Sequence, residues 1–336
     1  MPAPSDILQF MPGQLFQTPT LPNTSFKGKT VVITGANTGL GFECAKQLIA
    51  LGVSTLVLGC RSISKGEAAR DSLQASKDSK HTSVHVWQVD MADYSSVKAF
   101  SKRMASELPR LDALLVNAGI STNQYQVAEG LESTLTVNVA AAFLLALLAL
   151  PQLERTGAQF RTSTHLTIVG SNVHAFAPHQ QLQQPGSGQV FSTLSDKHQA
   201  DMASRYFLSK LIVMLCVREL ASRVPSNRVI INCPSPGWCK TQLFRQDDGG
   251  FMGRNMLKLI GRTSEVGARC LTSAIAADHD SHGQYLSECQ VKNTSVFVRS
   301  PEGRHLQKPL FEELLQILEN TSPGISSILN GEKRNI

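Results

Sequence analysis

Short runs of β-branched residues alternate with longer amphipathic stretches from Lys29 onward. The first run, Thr30–Thr34, predicts a strand, and residues 40–51 predict a helix. The same alternation predicts further strands at 54–59, 83–89, 111–117, 165–171 and 228–233, and further helices at 64–75, 94–108, 129–153 and 201–223. Strands that alternate with helices indicate βαβ units. We therefore expect an α/β fold with one doubly wound parallel sheet, flanked by helices, in a single domain.

Three segments depart from this alternation. Residues 1–27 hold five of the 15 prolines and predict an irregular proline-rich arm. Residues 176–199 predict a long surface loop, and residues 238–262 predict a basic substrate loop. Ligands of open α/β sheets bind outside the carboxyl ends of the strands, so both loops are candidates for a substrate rim or lid. The expected domain covers residues 28–300, and residues 301–336 are expected to form a C-terminal helical tail.

Composition excludes several classes of protein. The 336 residues are 42% hydrophobic and 17% charged, whereas disordered chains combine low hydrophobicity with high charge. The seven cysteines are scattered and form no C-x-x-C pair, which predicts reduced thiols, no metal site and a cytoplasmic location. The apolar stretch 139–150 is shorter than the ~20 residues of a membrane span, so no transmembrane segment is expected.

Positive charge is concentrated in one part of the chain. Residues 197–269 contain 12 basic and 5 acidic side chains, whereas the whole chain has a net charge of +6, so the remainder sums to −1. No interleaved aromatic residues or known module accompany this segment, so a nucleic-acid partner is not expected. We interpret the surplus as an electropositive environment that steers a polyanionic cofactor, and an acidic substrate, toward the site.

A glycine-rich turn follows the first strand and opens the first helix. In Thr34-Gly-Ala-Asn-Thr-Gly-Leu-Gly41, Gly35 permits the tight turn, Gly39 permits close approach to a pyrophosphate, and Gly41 permits close helix packing. The spacing is G-x-x-x-G-x-G, not G-x-G-x-x-G, but its strand–turn–helix context predicts a Rossmann-type dinucleotide site. The residues expected to line it are Gly35, Asn37, Thr38, Gly39, Leu40 and Gly41.

The second strand ends at Arg61, twenty residues after Gly41. A carboxylate near this point would hold the adenosine 2′-OH of NAD, but no Asp or Glu lies between Thr55 and Ser64. A guanidinium pairs instead with a 2′-phosphate. The sequence therefore predicts NADP(H) as the cofactor. The alternative is that Arg61 is a solvated residue at the end of a strand.

Further motifs follow in a defined order: Asp90 after the third strand, Asn117-Ala118-Gly119, Asn138, Ser171 after the fifth strand, Tyr206-x-x-x-Lys210, and Pro236-Gly237 with Thr241. With these blocks, residues 28–300 resemble the short-chain dehydrogenase/reductase family. Within it, the closest resemblance of three further segments is to the retinol-dehydrogenase-like members, particularly those of filamentous fungi: Gly59-Cys60-Arg61, Gly283-Gln-Tyr-Leu-Ser287 and the tail after Phe297. The resemblance implies that one group of residues contacts the adenosine side of the cofactor: Asp90, Met91, Asn117, Ala118 and Gly119. It also implies that a second group closes over the nicotinamide: Pro236, Gly237, Cys239 and Thr241.

The resemblance implies a catalytic set of Ser171, Tyr206, Lys210 and Asn138. Residues four apart share one helix face, so Lys210 is expected to lie beside the Tyr206 phenol and to lower its pKa from near 10. Tyr206 can then exchange a proton with a substrate oxygen that also accepts a hydrogen bond from Ser171. The resemblance further implies that Lys210 holds the nicotinamide ribose and that Asn138 anchors a proton-relaying water.

Two other patterns compete for these roles. Tyr94 and Lys98 also match Y-x-x-x-K, but they precede the N-A-G strand, so position favours Tyr206. His174 lies three residues after Ser171, but no G-x-S-x-G elbow surrounds that serine, so we expect a packing or rim role instead of hydrolase chemistry.

We therefore expect an NADP(H)-dependent oxidoreductase that interconverts a ketone or aldehyde with an alcohol. By analogy with the fungal members, its substrate would be a hydrophobic or polyketide-type carbonyl of secondary metabolism. The alternative is a cofactor-binding scaffold or non-redox cyclase that keeps the fold. The sequence leaves open whether a homodimer forms through the helices that carry Asn138 and Tyr206.

Overall fold

One eight-stranded sheet lies at the centre of the computed structural model, which describes residues 3–183, 189–241, 243 and 260–330. The strands in chain order are β1 Thr30–Thr34, β2 Thr55–Cys60, β3 Ser83–Gln88, β4 Ala113–Val116, β5 Val127–Ala128, β6 Leu131–Glu132, β7 His165–Ile168, β8 Ile230–Ser235, β9 Tyr285–Ser287 and β10 Gln290–Lys292. The sheet order is β10-β9-β8-β7-β4-β1-β2-β3, and β5 pairs only with β6. Every pairing in the large sheet is parallel except β9 with β10.

Helices cover both faces of this sheet. They are α1 Pro4–Phe16, α2 Gly39–Ala50, α3 Ile63–Gln74, α4 Tyr94–Glu107, α5 Ser133–Leu135, α6 Ala141–Phe160, α7 Val190–Leu194, α8 Met202–Arg223, α9 Ser264–Ala274, α10 Val296–Arg299 and α11 Pro301–Thr321. Alternate strand residues face opposite sides. Val32 and Leu114 join the apolar cluster beneath α4, α6, α8 and α11, whereas Ile33 and Leu115 join the cluster beneath α2, α3 and α9. The doubly wound parallel sheet is thus confirmed.

The long helix expected over residues 129–153 begins later and ends later. Glu129 and Gly130 have positive φ values of 52° and 80° and form the turn between β5 and β6. Left-handed backbone cannot continue a right-handed helix, so the helical run starts at Ser133. It passes through a π-helical segment, Thr136–Ala140, and continues as α6 to Phe160.

The N-terminal arm is helical over Pro4–Phe16, so the expectation of an irregular arm was wrong. Its prolines do not prevent this helix, because Pro4 lies in the first turn, where the backbone N–H has no partner within the helix. Pro19 follows the end of α1. Only Pro12 lies inside the helix, so proline content alone was a poor guide to this segment.

The C-terminal segment is part of the domain instead of a separate tail. Helix α11 packs against α8, and its Phe311, Leu314 and Leu318 are fully buried in the same apolar cluster as α6 and α8. The Phe311 ring meets the Phe143 ring edge-on with centroids 6.2 Å apart. The domain boundary at residue 300 was therefore wrong, although the predicted helix is present.

The segment 176–199 is also better anchored than a surface loop. It contains a 3-10 helix, His179–Leu182, and α7, while residues 184–188 lie outside the described part of the chain. Phe191 is fully buried. The Glu313 carboxylate of α11 accepts the backbone N–H groups of Val190 and Phe191 at 3.0 and 2.7 Å. This half of the segment is thus fixed to the C-terminal helix.

By length and composition, the helical run Ser133–Phe160 could cross a membrane. However, 94% of its apolar window is buried inside the protein, as in the core helix of a folded domain. The run is longer than the apolar stretch 139–150 considered from the sequence, because flanking residues extend the helix at both ends.

Part of the basic surplus of residues 197–269 is paired with carboxylates, whereas three of its 12 basic residues, Arg245, Arg254 and Lys258, lie outside the described part of the chain, so the steering interpretation stays a prediction. Five of its arginines form ion pairs: Arg205 with Glu132, Arg223 with Glu219 and Glu312, Arg228 with Glu154, Arg262 with Glu288, and Arg269 with Glu265. Four of these six carboxylates lie outside the segment in sequence. The arginines therefore fasten this part of the chain to its neighbours.

Candidate active site

The glycine turn has the backbone shape of a phosphate cradle. Gly35 and Gly39 have φ values of +67° and +60°, and a Cβ at Gly39 would meet nothing within 4 Å. A Cβ at Gly41 would lie 2.5 Å from the Gly35 carbonyl oxygen and 2.7 Å from the Asn117 side-chain nitrogen. Gly41 is therefore required for packing, whereas Gly39 leaves its backbone open at the N-terminus of α2, where N–H groups favour an anion. Asn37, Thr38 and Leu40 lie on this same turn.

Asn117 joins the end of β4 to this turn. Its Nδ2 donates to the carbonyl oxygens of Thr34 at 2.9 Å and Gly35 at 3.2 Å. The backbone N–H groups of Asn117 and Ala118 donate to the Thr34 hydroxyl. The N-A-G triplet thus fixes the end of β4 to the end of β1, its neighbour in the sheet, and Gly119 follows directly after this junction.

Arg61 and Asp90 follow neighbouring strands. Arg61 is exposed directly after β2, beside the glycine turn, because Gly59 pairs with Thr34. Asp90 and the buried Met91 follow β3, and the Asp90 carboxylate accepts the Ala92 N–H at 2.9 Å. The guanidinium of Arg61 is thus available to a bound group at this edge.

Lys210 is brought to the end of β7 by α8. Its ammonium donates to the Val169 carbonyl oxygen at 2.8 Å and lies 5.8 Å from the centroid of the Tyr206 ring. Ser171 follows Val169 by two residues and caps a short 3-10 helix, accepting the Val173 N–H. The structure therefore brings Ser171, Tyr206 and Lys210 to one edge of the sheet, and each is at least nine-tenths buried.

Burial changes the chemistry of Lys210. Removal from water lowers the pKa of its ammonium from 10.5 to about 8, and the nearby Cys233 thiol opposes this shift slightly. An uncharged lysine is therefore accessible at mildly alkaline pH. A Cβ placed on Gly119 would lie 3.1 Å from the Asn138 Oδ1 and 4.0 Å from the Lys210 Nζ, so a larger residue there would press on Asn138.

Asn138 lies in the π-helical segment, and its side chain is hydrogen-bonded to α8. Its Oδ1 accepts the Ile120 N–H at 2.8 Å, and its Nδ2 donates to the Ile120 carbonyl at 2.9 Å and to the Ser209 hydroxyl at 3.0 Å. The Ser209 hydroxyl in turn donates to the Tyr206 carbonyl oxygen. The Asn138 side chain therefore ties the segment after β4 to α8, while its Oδ1 keeps a second lone pair that can accept a hydrogen bond.

Pro236 and Gly237 follow β8 and are covered by side chains from distant parts of the chain. Gly237 has φ +76°, and a Cβ there would lie 2.6 Å from the Gln14 Oε1 and 2.7 Å from an Arg262 nitrogen. Sequence reasoning missed both residues, because no local motif marks them and Gln14 lies 224 positions from the Trp238 that it contacts.

Cys239 and Thr241 complete the segment that the resemblance assigns to the nicotinamide. Burial raises the pKa of the Cys239 thiol to about 12, and its Sγ lies 3.3 Å from the Pro236 carbonyl oxygen. A protonated buried thiol is a poor nucleophile. The Thr241 hydroxyl accepts the Leu243 N–H. Residues 242 and 244–259 of the expected substrate loop lie outside the described residues.

The two competing patterns have other roles. Lys98 donates to the Thr321 carbonyl oxygen at the end of α11, and Tyr94 is buried with a raised pKa, because burial disfavours its phenolate. His174 is buried as well, and burial lowers the pKa of its imidazole. Its Nε2 lies 3.0 Å from the Ser295 N–H, which can only donate, so the proton is on Nδ1 and is donated to the Ser171 carbonyl oxygen.

A buried ion pair also joins α8 to β6. Arg205 and Glu132 are fully buried and approach to 3.4 Å, and Arg205 also donates to the Leu194 carbonyl oxygen. The other carboxylate oxygen of Glu132 accepts from the Thr134 N–H and hydroxyl. Sequence reasoning missed this pair, whose only local signal is the position of Arg205 next to Tyr206.

Comparison with known proteins adds to this geometry. Residues 29–159 match the family model described as short chain dehydrogenase. The chain is 39% identical over 323 residues to short chain dehydrogenase/reductase dmxR8 of Cryptosporiopsis sp. (strain 8999), covering 95% of this chain and 99% of that one. It is 40% identical to short-chain dehydrogenase anuD of Penicillium roqueforti (strain FM164), covering 96% and 86%.

A solved structure shares the same fold. The 3-ketoacyl-(acyl-carrier-protein) reductase from Brucella melitensis complexed with NADH matches with a TM-score of 0.58 and 19% identity, covering 78% of this chain and 97% of that one.

Proposed function

Because this chain belongs to the short-chain dehydrogenase/reductase family, we propose that it is an NADP(H)-dependent reductase that converts a ketone or aldehyde to an alcohol. The observation that carries this proposal is the position of Lys210, whose buried ammonium lies between the Val169 carbonyl oxygen and the Tyr206 ring. A buried cation beside a phenol supports proton transfer, and a scaffold or cyclase has no evident need of it.

Tyr206 supplies the proton in this reaction. Its phenol donates to the oxygen of the carbonyl as negative charge develops there, and the Lys210 ammonium stabilises the phenolate that remains. The Ser171 hydroxyl, which donates to Asn172 at 3.3 Å, is free to rotate toward the same oxygen and stabilise its charge. In the reverse direction, Tyr206 would accept the proton from an alcohol.

The surface between the glycine turn, Gly35 to Gly41, and Lys210 suits a dinucleotide. The open backbone at Gly39 and the helix N-terminus behind it suit a pyrophosphate, and the Lys210 ammonium suits the hydroxyl groups of a ribose. When bound, the nicotinamide supplies the hydride. The exposed guanidinium of Arg61, with no carboxylate between Thr55 and Ser64, supports NADP(H) over NAD(H).

Fungal relatives favour a hydrophobic, polyketide-type carbonyl as the substrate, by analogy alone. We place the reaction in the cytoplasm, because all seven cysteines are free thiols and a cytosolic environment keeps thiols reduced.

Tyr206→Phe tests the chemistry. We expect NADPH oxidation with a panel of aldehydes and ketones to fall by about 10²- to 10⁴-fold, the usual contribution of a general acid, while NADPH binding is unchanged. Tyr94→Phe is the matched control and should keep its activity. Full activity in Tyr206→Phe would overturn the mechanism, and a wild type that binds NADPH but reduces no carbonyl would favour the scaffold.

Arg61→Ala tests the cofactor assignment. We expect the dissociation constant for NADPH to rise by about tenfold, the loss of roughly one charge-assisted contact, with no change for NADH. Both constants are measured by the change in nicotinamide fluorescence on binding. Equal affinities of the wild type for the two nucleotides would refute the pairing of Arg61 with a 2′-phosphate.

A further inference from the structure

The N-terminal helix α1 lies directly on the segment that follows β8. The buried side chain of Gln14 makes three hydrogen bonds to backbone there. Its Nε2 donates to the carbonyl oxygens of Trp238 at 3.1 Å and Ile260 at 2.8 Å, and its Oε1 accepts the Trp238 N–H at 3.0 Å. The rings of Phe10 and Trp238 are also in contact, with centroids 5.0 Å apart. One side chain of α1 thus holds two stretches of chain that are 22 residues apart in sequence.

Arg262 fastens the C-terminal end of α1, beside Gln14. Its guanidinium donates to the carbonyl oxygens of Gly13 at 2.6 Å and Gln17 at 2.9 Å, where the helix ends. The Gly13 carbonyl oxygen also accepts the Gln17 N–H at 3.2 Å. Both carbonyls lie at the negative end of the helix dipole, where a cation is stabilising. The last turn of α1 has no basic residue of its own. The same guanidinium lies 3.5 Å from the Pro236 carbonyl oxygen.

Glu288 neutralises Arg262 from an unfavourable backbone position. The carboxylate lies 3.2 Å from the guanidinium, and both side chains are more than nine-tenths buried. Glu288 and Cys289 form the two-residue turn between β9 and β10, with φ values of 49° and 62°. Turns of this kind favour Gly and Asn, because other residues disfavour a left-handed backbone. The Glu288 carboxylate thus reaches Arg262 from a position where the backbone itself favours another residue.

These contacts converge on the backbone of residues 236–239, which the family resemblance assigns to the nicotinamide half of the cofactor. We infer that α1, through Gln14 and with the Arg262–Glu288 pair, is a brace that sets the position of this backbone for nicotinamide binding. The inference rests on the proposed function. Gln14 and Arg262 are positioning residues, since they act through Gly237 and Trp238 and not on the cofactor itself.

The brace should affect the binding of ligands that carry a nicotinamide and not of ligands that lack one. This difference is tested in the full-length protein. Gln14→Met keeps the length and helix preference of the side chain but removes all three hydrogen bonds. We expect the dissociation constant for NADPH to rise by about tenfold, as when one or two hydrogen bonds are lost. Binding of adenosine 2′,5′-bisphosphate, which has no nicotinamide, should not change. Leu8→Ala, an exposed position on the same helix, is the matched control.

A spectroscopic measurement follows the brace directly. The chain has 2 tryptophans, so a Trp87→Phe background leaves Trp238 as the single reporter. Gln14→Met should increase the quenching of Trp238 by acrylamide, because α1 no longer covers it firmly. If Gln14→Met does not fold, Phe10→Leu, which loses only the aromatic contact, is measured in the same way.

Each outcome decides between alternatives. Loss of NADPH affinity with unchanged bisphosphate affinity supports the brace. Equal weakening of both ligands, or no change in either, overturns it, since the first indicates a general loss of structure and the second shows that α1 does not act on the site. A wild type that binds neither ligand would refute the proposed function, and the brace with it.

Discussion

The two halves of the candidate dinucleotide groove are held together by different means. The nucleotide half depends on glycine backbone and apolar packing, with residues such as Ile33, Leu48 and Leu58 in one buried cluster. The nicotinamide half depends on buried polar side chains, among them Lys210, Asn138, His174, Arg205 and Arg262. Their partners are far apart in sequence: Arg205 and Glu132 are separated by 73 positions. Local sequence therefore specifies most of the first half, apart from the bonds of Asn117 to the glycine turn 82 and 83 positions away, and long-range pairing specifies the second.

This difference has an energetic consequence. Apolar packing weakens in proportion to the surface that is lost, whereas a buried charge that loses its partner has no water to replace it. The nicotinamide half should therefore tolerate single substitutions poorly and respond to paired substitutions. The nucleotide half should respond to the volume of each side chain.

The largest expected effect is that of Arg205→Met. The substitution leaves the fully buried Glu132 carboxylate unpaired and should lower the free energy of unfolding by about 3–5 kcal/mol. Unfolding in urea, followed by circular dichroism, measures this loss. A near-neutral Arg205→Met would show that the nicotinamide half does not depend on buried charge.

Two control variants sharpen this prediction. Adding Glu132→Gln to Arg205→Met should recover part of the lost free energy, because an amide oxygen can still accept from Thr134 without a buried charge. Arg103→Met breaks an exposed pair with Glu107 and the contact of its guanidinium with the Trp87 ring, and should cost only about 1 kcal/mol. Failure of the double variant to recover would indicate that shape, not charge, matters at Arg205.

The second prediction concerns the nucleotide half. Gly41→Ala places a Cβ 2.5 Å from the Gly35 carbonyl oxygen and should lower the free energy of unfolding by about 1–3 kcal/mol, as overpacking does. Gly39→Ala, the matched control, adds its Cβ to open space and should cost about 1–2 kcal/mol from its left-handed backbone alone.

Nucleotide binding separates these two variants further. Gly39→Ala should weaken NADPH more than Gly41→Ala does, because its Cβ points into the space proposed for the pyrophosphate. Equal loss of affinity in the two would contradict the division between packing and cradle roles.

The same contrast explains how much could be predicted from the sequence. The alternating pattern predicted six strands of the parallel sheet, β1 to β4, β7 and β8, but not the short β9. Gly35 to Gly41 follow β1 as expected, because period and turn chemistry act over a few residues. The packing of the N-terminal arm and of the C-terminal segment could not be predicted. The contacts that hold Gln14 and Phe311 are made with residues about 170 or more positions away in sequence. The steering role of the basic surplus stays a prediction, because net charge does not reveal which arginines are paired.

The third prediction concerns pH and separates the two roles of Lys210. Its folded pKa of about 8 lies below its ordinary value of 10.5, so kcat/KM for carbonyl reduction should fall above pH 8, by about tenfold per pH unit, as the ammonium is lost. Stability should move the other way. Between these two pKa values the unfolded chain binds more protons than the folded one, so this lysine makes folding more favourable as pH rises through the window.

Lys210→Met provides the reference for this contrast. It removes the titrating group, so the difference in unfolding free energy between wild type and variant should slope with pH between about 8 and 10.5 and be flat above it. Buried cysteines such as Cys216 titrate in both proteins and cancel in the difference. A difference that stays flat throughout would mean that Lys210 is not desolvated in the folded protein. Lys210 would then not count as a buried cation of the nicotinamide half. The difference between the two halves would rest on Arg205 and Arg262 alone.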